Sequence, residues 1–357
     1  MLFKVEKITI LAPVEHLIIM YRGDAMNSYR LKTDILDFHV LEAGTGALVI
    51  LLHGFPDLAM GWTSQINALS EAGYRVVAPD LRGYGQTSGP VSEQSYSMFS
   101  LVGDVVAMVE ALGHDKAVVV GHDWGAALAW QCALLRPDMF PAVMAMSVPF
   151  QARRNRAAPT EVMRYLSKKE GTGELYIAAF KGKEAHKSLD ADPAQTLRKL
   201  FWSFDGATPQ HHRSNGYIDE GKTLMDMISD EAVIPPWMSA ERFDAYVQAF
   251  TEGGFERPLN WYRKIDANWH RSRWLQGQKV KVPAKYMVGE FDPTRIYLAR
   301  NEAELADWVP NLRGVTIVPG AGHWLQQEQP DVVNEAILGF LWELSWGREN
   351  ELLSGMS

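Results

Sequence analysis

The sequence has little of several features that would place it in a specialised class of proteins. It contains one cysteine, Cys132, among 357 residues, so it cannot form an internal disulfide. Its 43 acidic residues outnumber its 35 basic residues, which gives a formal net charge of −8 at pH 7. Proteins that bind nucleic acid concentrate Lys and Arg on one face, so this balance argues against a nucleic acid partner. A small neutral ligand fits better.

Long apolar runs are also missing. The N-terminal stretch MLFKVEKITILAPVEHLIIM is interrupted by charged residues and by Pro13 too often for a signal-peptide core or a membrane span. The final residues, GRENELLSGMS, contain no lipidation motif, and the chain shows no internal repeat or low-complexity tract. We therefore expect a cytoplasmic protein without a membrane span, and the pattern predicts no particular oligomeric state.

What the chain does contain is an alternation of strand and helix patterns. Short apolar runs predict buried strands, and they lie at 47–54, 75–80, 117–123, 142–148, 282–292 and 315–320. Helical spacing is found between them at 100–113 and 124–135, and again from about Pro330 to Leu344. This alternation predicts an α/β fold with a mostly parallel central sheet flanked by helices.

One region interrupts the alternation. From Pro149 to about Lys279 the pattern is helical, aromatic and rich in helix breakers, and strand patterns then resume. We interpret this region as a helical cap, or lid, inserted into the core between two strands. The predicted division is an N-terminal extension of unassigned role at 1–26, a first part of the core at 27–148, the cap at 149–279, a second part of the core at 280–345, and a tail at 346–357.

The segment AVVVGHDWGAALAW carries the clearest chemical signal. Gly121, Asp123 and Gly125 form a G-x-D-x-G pattern where a strand meets a helix, which is the frame of a nucleophile elbow with Asp where Ser is commoner. Such a tight, strained turn leaves no room for side chains two positions to either side of the nucleophile. The alternative is that Asp123 merely caps the helix. We predict that it is a nucleophile, because other segments supply matching parts.

The motif HGFPD follows another predicted strand and can supply a backbone donor to an oxyanion hole. We assign that donor to the N–H of Phe55, and the second donor to the N–H of Trp124. His53, Gly54 and Pro56 are expected to support the turn. We expect His53 to be a structural hydrogen-bonding residue rather than a base.

A base and an acid that orients it should follow in the order nucleophile, acid, histidine. The segment GEFDPTR provides Asp292 directly after a predicted strand, and GAGHW provides His323 after the next one. The long interval between Asp123 and Asp292 accommodates the predicted cap. We therefore predict that Asp292 orients His323 and that His323 is the general base.

Together with DLRGYGQTSGP and LNWYRKIDANW, these motifs resemble those of the soluble epoxide hydrolases of the α/β-hydrolase fold, over roughly residues 30 to 345. The resemblance implies that two cap tyrosines donate to the epoxide oxygen, at Tyr176 in ELYIAAF and Tyr262 in LNWYR. Their alternative role is ordinary packing in an amphipathic cap.

The resemblance also implies a reaction. A small apolar epoxide would be converted to a vicinal diol through an alkyl ester of Asp123, which water activated by His323 would hydrolyse. Two phenol donors can neutralise the charge that builds on the epoxide oxygen. We therefore expect no metal and no organic cofactor, with the epoxide and water as the only small-molecule partners.

Other functions share part of this pattern. A haloalkane dehalogenase would share the Asp nucleophile, the following Trp, the acid and the His, but it usually has Asn where this chain has Phe55, and it lacks LNWYR. A fluoroacetate dehalogenase would prefer Arg at the position of Trp124, and a serine esterase is disfavoured by Asp at position 123. A non-catalytic protein that binds a hydrophobic ligand would need none of the proposed catalytic groups.

Overall fold

A mostly parallel sheet forms the centre of the molecule in the computed structural model. The structure describes residues 17–19, 26–87, 89–153, 157–295 and 302–354, with the backbone alone described at 17–19, 302–303 and 345–354. Most of the predicted N-terminal extension at 1–26 therefore lies outside the described residues.

Eleven strands are found in the described residues. They are β1 (Leu17–Ile19), β2 (Met26–Lys32), β3 (Asp37–Ala43), β4 (Leu48–Leu52), β5 (Arg75–Pro79), β6 (Val118–His122), β7 (Val143–Met146), β8 (Glu174–Leu175), β9 (Tyr217–Ile218), β10 (Ala284–Gly289) and β11 (Leu312–Val318). Nine of them form the central sheet in the order β1-β2-β3-β5-β4-β6-β7-β10-β11, and β8 and β9 form a separate antiparallel pair. The pairs β1–β2, β2–β3 and β3–β5 are antiparallel, and the other five pairs of this sheet are parallel.

Helices lie before, within and after the insertion. The helices are α1 (Thr63–Glu71), α2 (Met98–Ala111), α3 (Trp124–Leu135), α4 (Pro159–Glu170), α5 (Tyr176–Ala179), α6 (Ala185–Asp190), α7 (Pro193–Ser203), α8 (Leu224–Met227), α9 (Ala240–Gly253), α10 (Glu256–Arg263), α11 (Ile265–Arg271), α12 (Glu302–Trp308), α13 (Leu325–Glu328) and α14 (Pro330–Ser354). Short 3-10 helices span Ala59–Trp62, Glu93–Tyr96, Gln210–His212 and Arg273–Leu275.

The hydrophobic core lies on both faces of the sheet. All five residues of β4 are buried, and they alternate between the two faces because successive side chains of a strand point in opposite directions. Leu48, Ile50 and Leu52 pack in one cluster with residues of α2 and α3. Val49 and Leu51 pack in the other cluster with residues of α1 and α14. Helices on both faces explain why the parallel strands read as continuous apolar runs.

The insertion is helical, as predicted. The helices α4 to α11 follow β7 and precede β10, so the chain leaves the sheet, builds a helical cap and returns to the neighbouring strand. This confirms the predicted α/β-hydrolase fold with an inserted cap. The first α-helix of the cap begins at Pro159, and the last one ends at Arg271. The exact boundaries of the cap at 149 and 279 stay a prediction.

Two further observations bear on the expectations from composition. Cys132 is fully buried in α3, and burial raises the pKa of its thiol. Among the residues that the structure describes, no helix combines the length and the apolar character needed to cross a membrane.

The register of the parallel strands brings several strand ends to one edge of the sheet. Leu52 pairs with Gly121, and His122 pairs with Met146. Met146 in turn pairs with Met287 near the end of β10, whose last residue pairs with Val318. The carboxyl ends of β4, β6, β7, β10 and β11 therefore lie side by side. This edge is where ligands bind in open α/β sheets.

Candidate active site

Asp123 lies in the turn between β6 and α3 and has a strained backbone, with φ 52° and ψ −118°. A Cβ at Gly121 would lie 2.1 Å from the carbonyl oxygen of Gly125, and a Cβ at Gly125 would lie 2.0 Å from that of Leu52. The turn therefore needs glycine at both positions. The Asp123 side chain makes no N-cap hydrogen bond to α3, so the capping interpretation has no geometric support.

The Asp123 carboxylate is held by the turn that follows β4. The N–H of Phe55 donates to Oδ1 of Asp123 at 2.9 Å. Gly54 lies so close that a Cβ there would come within 2.4 Å of the same oxygen. Burial raises the pKa of Asp123, while His323 and the backbone N–H groups of Phe55 and Trp124 counteract that rise. Both predicted oxyanion donors thus act on this carboxylate.

His323 lies between two carboxylates. Its Nε2 is 3.8 Å from Oδ2 of Asp123, and its Nδ1 is 3.2 Å from each carboxylate oxygen of Asp292. Burial alone would lower the pKa of His323, but the charges of Asp292 and Asp123 raise it to about 9. The predicted nucleophile, histidine and acid are therefore brought together, with the imidazole able to face a reacting group on one side and Asp292 on the other.

Two residues that the sequence analysis did not identify hold the acid. The hydroxyl of Ser147 donates to Oδ2 of Asp292 at 2.6 Å, and Thr294 donates to Oδ1 from its backbone N–H at 2.9 Å and its hydroxyl at 2.8 Å. Burial tends to raise the pKa of Asp292, but His323, Ser147 and Thr294 hold it below its ordinary value. The carboxylate therefore stays ionised although it is buried.

Ser147 itself is in an unusual conformation, with a positive φ of 72° directly after β7. Strand β7 lies between β6 and β10 in the sheet, so Ser147 reaches the neighbourhood of Asp123 and Asp292 together. The only sequence signal for it is a polar residue at the end of an apolar run. This signal predicts a contact with Asp292 only when the order of the strands in the sheet is known.

The two predicted tyrosines approach each other above the elbow. Tyr176 begins α5, Tyr262 lies on α10, and their ring centroids are 6.2 Å apart. Tyr262 packs edge-on against Phe55 at 5.5 Å and against Trp124 at 5.0 Å. Burial raises the pKa of Tyr262 well above its ordinary value, and the nearby Tyr176 and Asp123 add to this rise. Its phenol is therefore protonated at neutral pH and can act as a donor.

A pocket lies where the cap meets the core. Tyr176 and His323 contribute polar groups to its wall, and most of the other lining residues are apolar: Phe55, Pro56, Phe180, Leu200, Phe204, Leu224 and Trp324. Mostly apolar walls with a few polar groups are typical of small-molecule sites. Within the described part of the chain, no group of three or more His, Cys, Asp or Glu side chains is arranged to hold a metal ion.

His53 connects the turn after β4 to the segment after β5. Its Nδ1 donates to the carbonyl of Gly54 at 2.9 Å, and its Nε2 accepts from the N–H of Leu81 at 2.9 Å. Burial lowers its pKa, so the ring is neutral and both nitrogens are used in structural hydrogen bonds. The peptide bond between Phe55 and Pro56 is cis.

The chain is similar to known proteins over most of its length. A family model described as alpha/beta hydrolase fold matches residues 47–330. The chain is 38% identical to epoxide hydrolase A of Mycobacterium tuberculosis over 87% of this chain and 96% of that protein, and 34% identical to epoxide hydrolase 3 of Siraitia grosvenorii over 89% and 99%. Among solved structures, epoxide hydrolase A from Mycobacterium thermoresistibile is 36% identical with a TM-score of 0.82, covering 88% of this chain and 98% of that chain. An epoxide hydrolase from an endophytic Streptomyces is 33% identical with a TM-score of 0.85, covering 91% and 97%.

Proposed function

Because the chain belongs to the α/β-hydrolase fold family and, within it, to the epoxide hydrolases, we propose that it converts epoxides to vicinal diols through an ester of Asp123. The observation that carries this proposal is the orientation of the Asp123 carboxylate. Oδ1 is bound by the N–H of Phe55, while Oδ2 is the oxygen nearer to Nε2 of His323. Oδ2 is therefore the oxygen available for attack, and Oδ1 already occupies a site prepared for negative charge.

In the first half-reaction, Oδ2 of Asp123 bonds to an epoxide carbon as the bond between that carbon and the ring oxygen breaks. Tyr176 and Tyr262 donate hydrogen bonds to the ring oxygen, and one of the two phenols transfers its proton to it, so that a hydroxyl and a tyrosinate are formed. Protonated phenols suit this task, since their donors act where charge develops. The product is a hydroxyalkyl ester of Asp123.

In the second half-reaction, His323 takes a proton from water, and the resulting hydroxide adds to the Cγ of Asp123. The N–H groups of Phe55 and Trp124 stabilise the negative charge on Oδ1 in the tetrahedral intermediate. The bond between Cγ and Oδ2 then breaks, and the diol leaves with Oδ2 and receives the proton from His323. The carboxylic acid left on Asp123, which now carries one oxygen from water, gives its proton to the neutral His323, so that the carboxylate and the imidazolium are both regenerated.

The charge of Asp123 links the two steps. In the free enzyme the carboxylates of Asp292 and Asp123, with a smaller contribution from Glu328, raise the pKa of His323 to about 9, so the ring is an imidazolium at neutral pH. Esterification removes the charge of Asp123, and the pKa of His323 falls because one of those carboxylates is lost. The imidazolium can then pass its proton through solvent to the tyrosinate left by the first half-reaction, and the neutral imidazole acts as the base.

The apolar pocket supports a small apolar epoxide as the substrate, with water as the second reactant. We propose the cytoplasm as the location of the enzyme, which fractionation of cells that express it would test. The proposed catalytic steps use side chains and backbone N–H groups of this chain, together with water.

A single turnover in heavy-oxygen water tests the covalent mechanism. Enzyme in excess over styrene oxide should yield diol that contains no heavy oxygen, and the peptide with Asp123 should gain one heavy atom, because water attacks the enzyme's own carbonyl. Many turnovers should yield labelled diol as the control. Heavy oxygen in the first-turnover diol, with none in the Asp123 peptide, would show that water attacks the epoxide directly.

A further inference from the structure

The carboxylate of Glu328, on α13, is bound by three backbone N–H groups. Its Oε2 accepts from Gly322 at 2.7 Å and from Gly206 at 3.0 Å, and its Oε1 accepts from Trp324 at 2.8 Å. Gly322 and Trp324 are the two neighbours of His323. One side chain therefore binds the backbone on both sides of the proposed base.

The third donor belongs to the cap. Gly206 lies in the segment 204–208 after α7, which we call the cap loop, and residues 319–324 around the base form the histidine loop. The N–H of His323 donates to the carbonyl of Phe204 at 2.8 Å. A Cβ at Gly206 would lie 2.1 Å from the carbonyl oxygen of Gly320, and a Cβ at Gly322 would lie 2.3 Å from that of Phe204. The two loops thus touch backbone to backbone.

The cap loop also forms part of the pocket, because Phe204 lines it. Arg213 holds this loop from the cap side, donating to the carbonyls of Gly206 at 2.6 Å and Thr208 at 2.7 Å. We therefore expect a displacement of the cap loop to shift the histidine loop, because Gly206 and Phe204 contact it directly.

We propose that Glu328 is a positioning residue that sets the place of His323 relative to Asp123 and ties it to the cap loop. This inference rests on the proposed function, in which His323 is the base of the second half-reaction. Hydrogen bonds to a charged carboxylate are short and directional, so three of them fix the peptide groups around His323. A general base must lie within hydrogen-bond reach of the proton that it removes.

Both oxygens of Glu328 act as acceptors, which makes glutamine an informative replacement. A glutamine side chain is nearly the same shape but has only one acceptor oxygen. In either orientation its amide N–H₂ group would face at least one of the N–H donors of Gly322, Gly206 and Trp324. Glu328→Gln should therefore loosen the histidine loop without creating a cavity.

The ionisation of Glu328 provides a second readout. Burial raises its pKa to about 7, assisted by Asp205 of the cap loop and opposed by the three N–H groups. His323 also lies near Glu328, and Glu328 raises the pKa of His323. The rate of ester hydrolysis by the wild type should therefore change with pH near pH 7 as Glu328 titrates. This change should be absent from the rate of Glu328→Gln.

Rapid-quench kinetics with styrene oxide tests the role of Glu328. We expect Glu328→Gln to form one ester per chain at a rate close to that of the wild type, and to hydrolyse it about 10- to 100-fold more slowly, since a misplacement of about 1 Å can cost about 10²-fold. Glu290→Gln is the matched control. Glu290 accepts one exposed hydrogen bond from Gly320 of the same loop, at 2.9 Å, and its replacement should leave both rates unchanged.

The outcomes separate positioning from folding. Hydrolysis of the ester at the wild-type rate by Glu328→Gln overturns the proposal, and so does a reduced ester yield with an unchanged hydrolysis rate, because that result means only a loss of folded protein. Glu328→Asp keeps both acceptor oxygens and should hydrolyse the ester at an intermediate rate. If Glu328→Gln does not fold, equal hydrolysis rates in Glu328→Asp and the wild type overturn the proposal. A wild type that forms no ester at all would instead contradict the proposed function.

Discussion

Replacement of His323 by glutamine should separate the two half-reactions. Asp123 attacks as a carboxylate and needs no base to remove a proton from it, unlike a serine hydroxyl. Hydrolysis of the ester does need a base, because neutral water is a poor nucleophile toward an ester. The variant should therefore become alkylated and then remain alkylated.

The general contribution of a positioned base sets the expected size of the effect, and the interaction of His323 with Asp123 sets the pH at which it should be seen. A positioned general base contributes about 10²- to 10⁴-fold, so hydrolysis should slow by that factor. If ester formation and hydrolysis are equally fast in the wild type, a loss of about 10²-fold raises the ester from about half to about 99% of the enzyme. His323 also lowers the pKa of Asp123. Its loss raises that pKa, so alkylation of the variant should need a higher pH than alkylation of the wild type.

Intact-protein mass spectrometry at several pH values measures this effect. Styrene oxide should add the mass of one substrate molecule to His323→Gln, and digestion should locate it on the peptide with Asp123. Asp123→Asn, which lacks the nucleophile, is the control and should gain no mass. The assignment of His323 as the hydrolytic base is refuted if His323→Gln turns over at the wild-type rate, or stays unmodified at every pH at which the wild type reacts.

Four further predictions concern the groups around this centre. Tyr262→Phe should slow alkylation by about 10²-fold or less because one donor remains, and adding Tyr176→Phe should nearly abolish alkylation. An unchanged rate of ester formation in the double variant would assign both rings to packing. In Asp292→Asn the pKa of His323 should fall from about 9, since the main carboxylate that raises it is removed, and an NMR titration that still finds it near 9 would contradict this. Ser147→Ala should lower the free energy of unfolding by about 1.5 to 3 kcal/mol, the value of a hydrogen bond to a charged group. Equal free energies of unfolding for this variant and the wild type, measured in urea, would exclude a strong hydrogen bond between Ser147 and Asp292. The free energy of unfolding of the wild type should fall as pH rises from about 6.5 to about 9, because the fold holds the His323 proton more tightly than the unfolded chain does, and His323→Gln should lack this fall.

Much of the fold could be predicted because its signals are local. The runs at 47–54 and 117–123 are continuous and apolar since their strands, β4 and β6, are covered on both faces, and this pattern survives in one sequence without any partner. The glycines around Asp123 are equally local, because the elbow excludes side chains by contacts within a few residues and with one adjacent strand. The cap was recognisable as the place where strand patterns stop.

The supporting residues of the site could not be predicted, because their partners are distant in the sequence. Ser147 matters only because β7 lies next to β10, and Glu328 matters because its carboxylate meets Gly206 of the cap. No spacing rule connects such pairs. Asp292 and His323 were identified because each follows a strand and their order along the chain is characteristic, whereas the residues that hold them carry no such signature.

The burial of Cys132 has a practical consequence for following the cap during turnover. It is the only thiol in the sequence, it is packed inside α3, and its raised pKa leaves it without the thiolate that reacts with maleimides. A maleimide should therefore leave the native chain unlabelled, so that any label is located at an introduced cysteine. A cysteine introduced at Val233, which is 56% exposed between α8 and α9, would accept a fluorophore alone, and its emission would report movement of the cap while substrate is consumed.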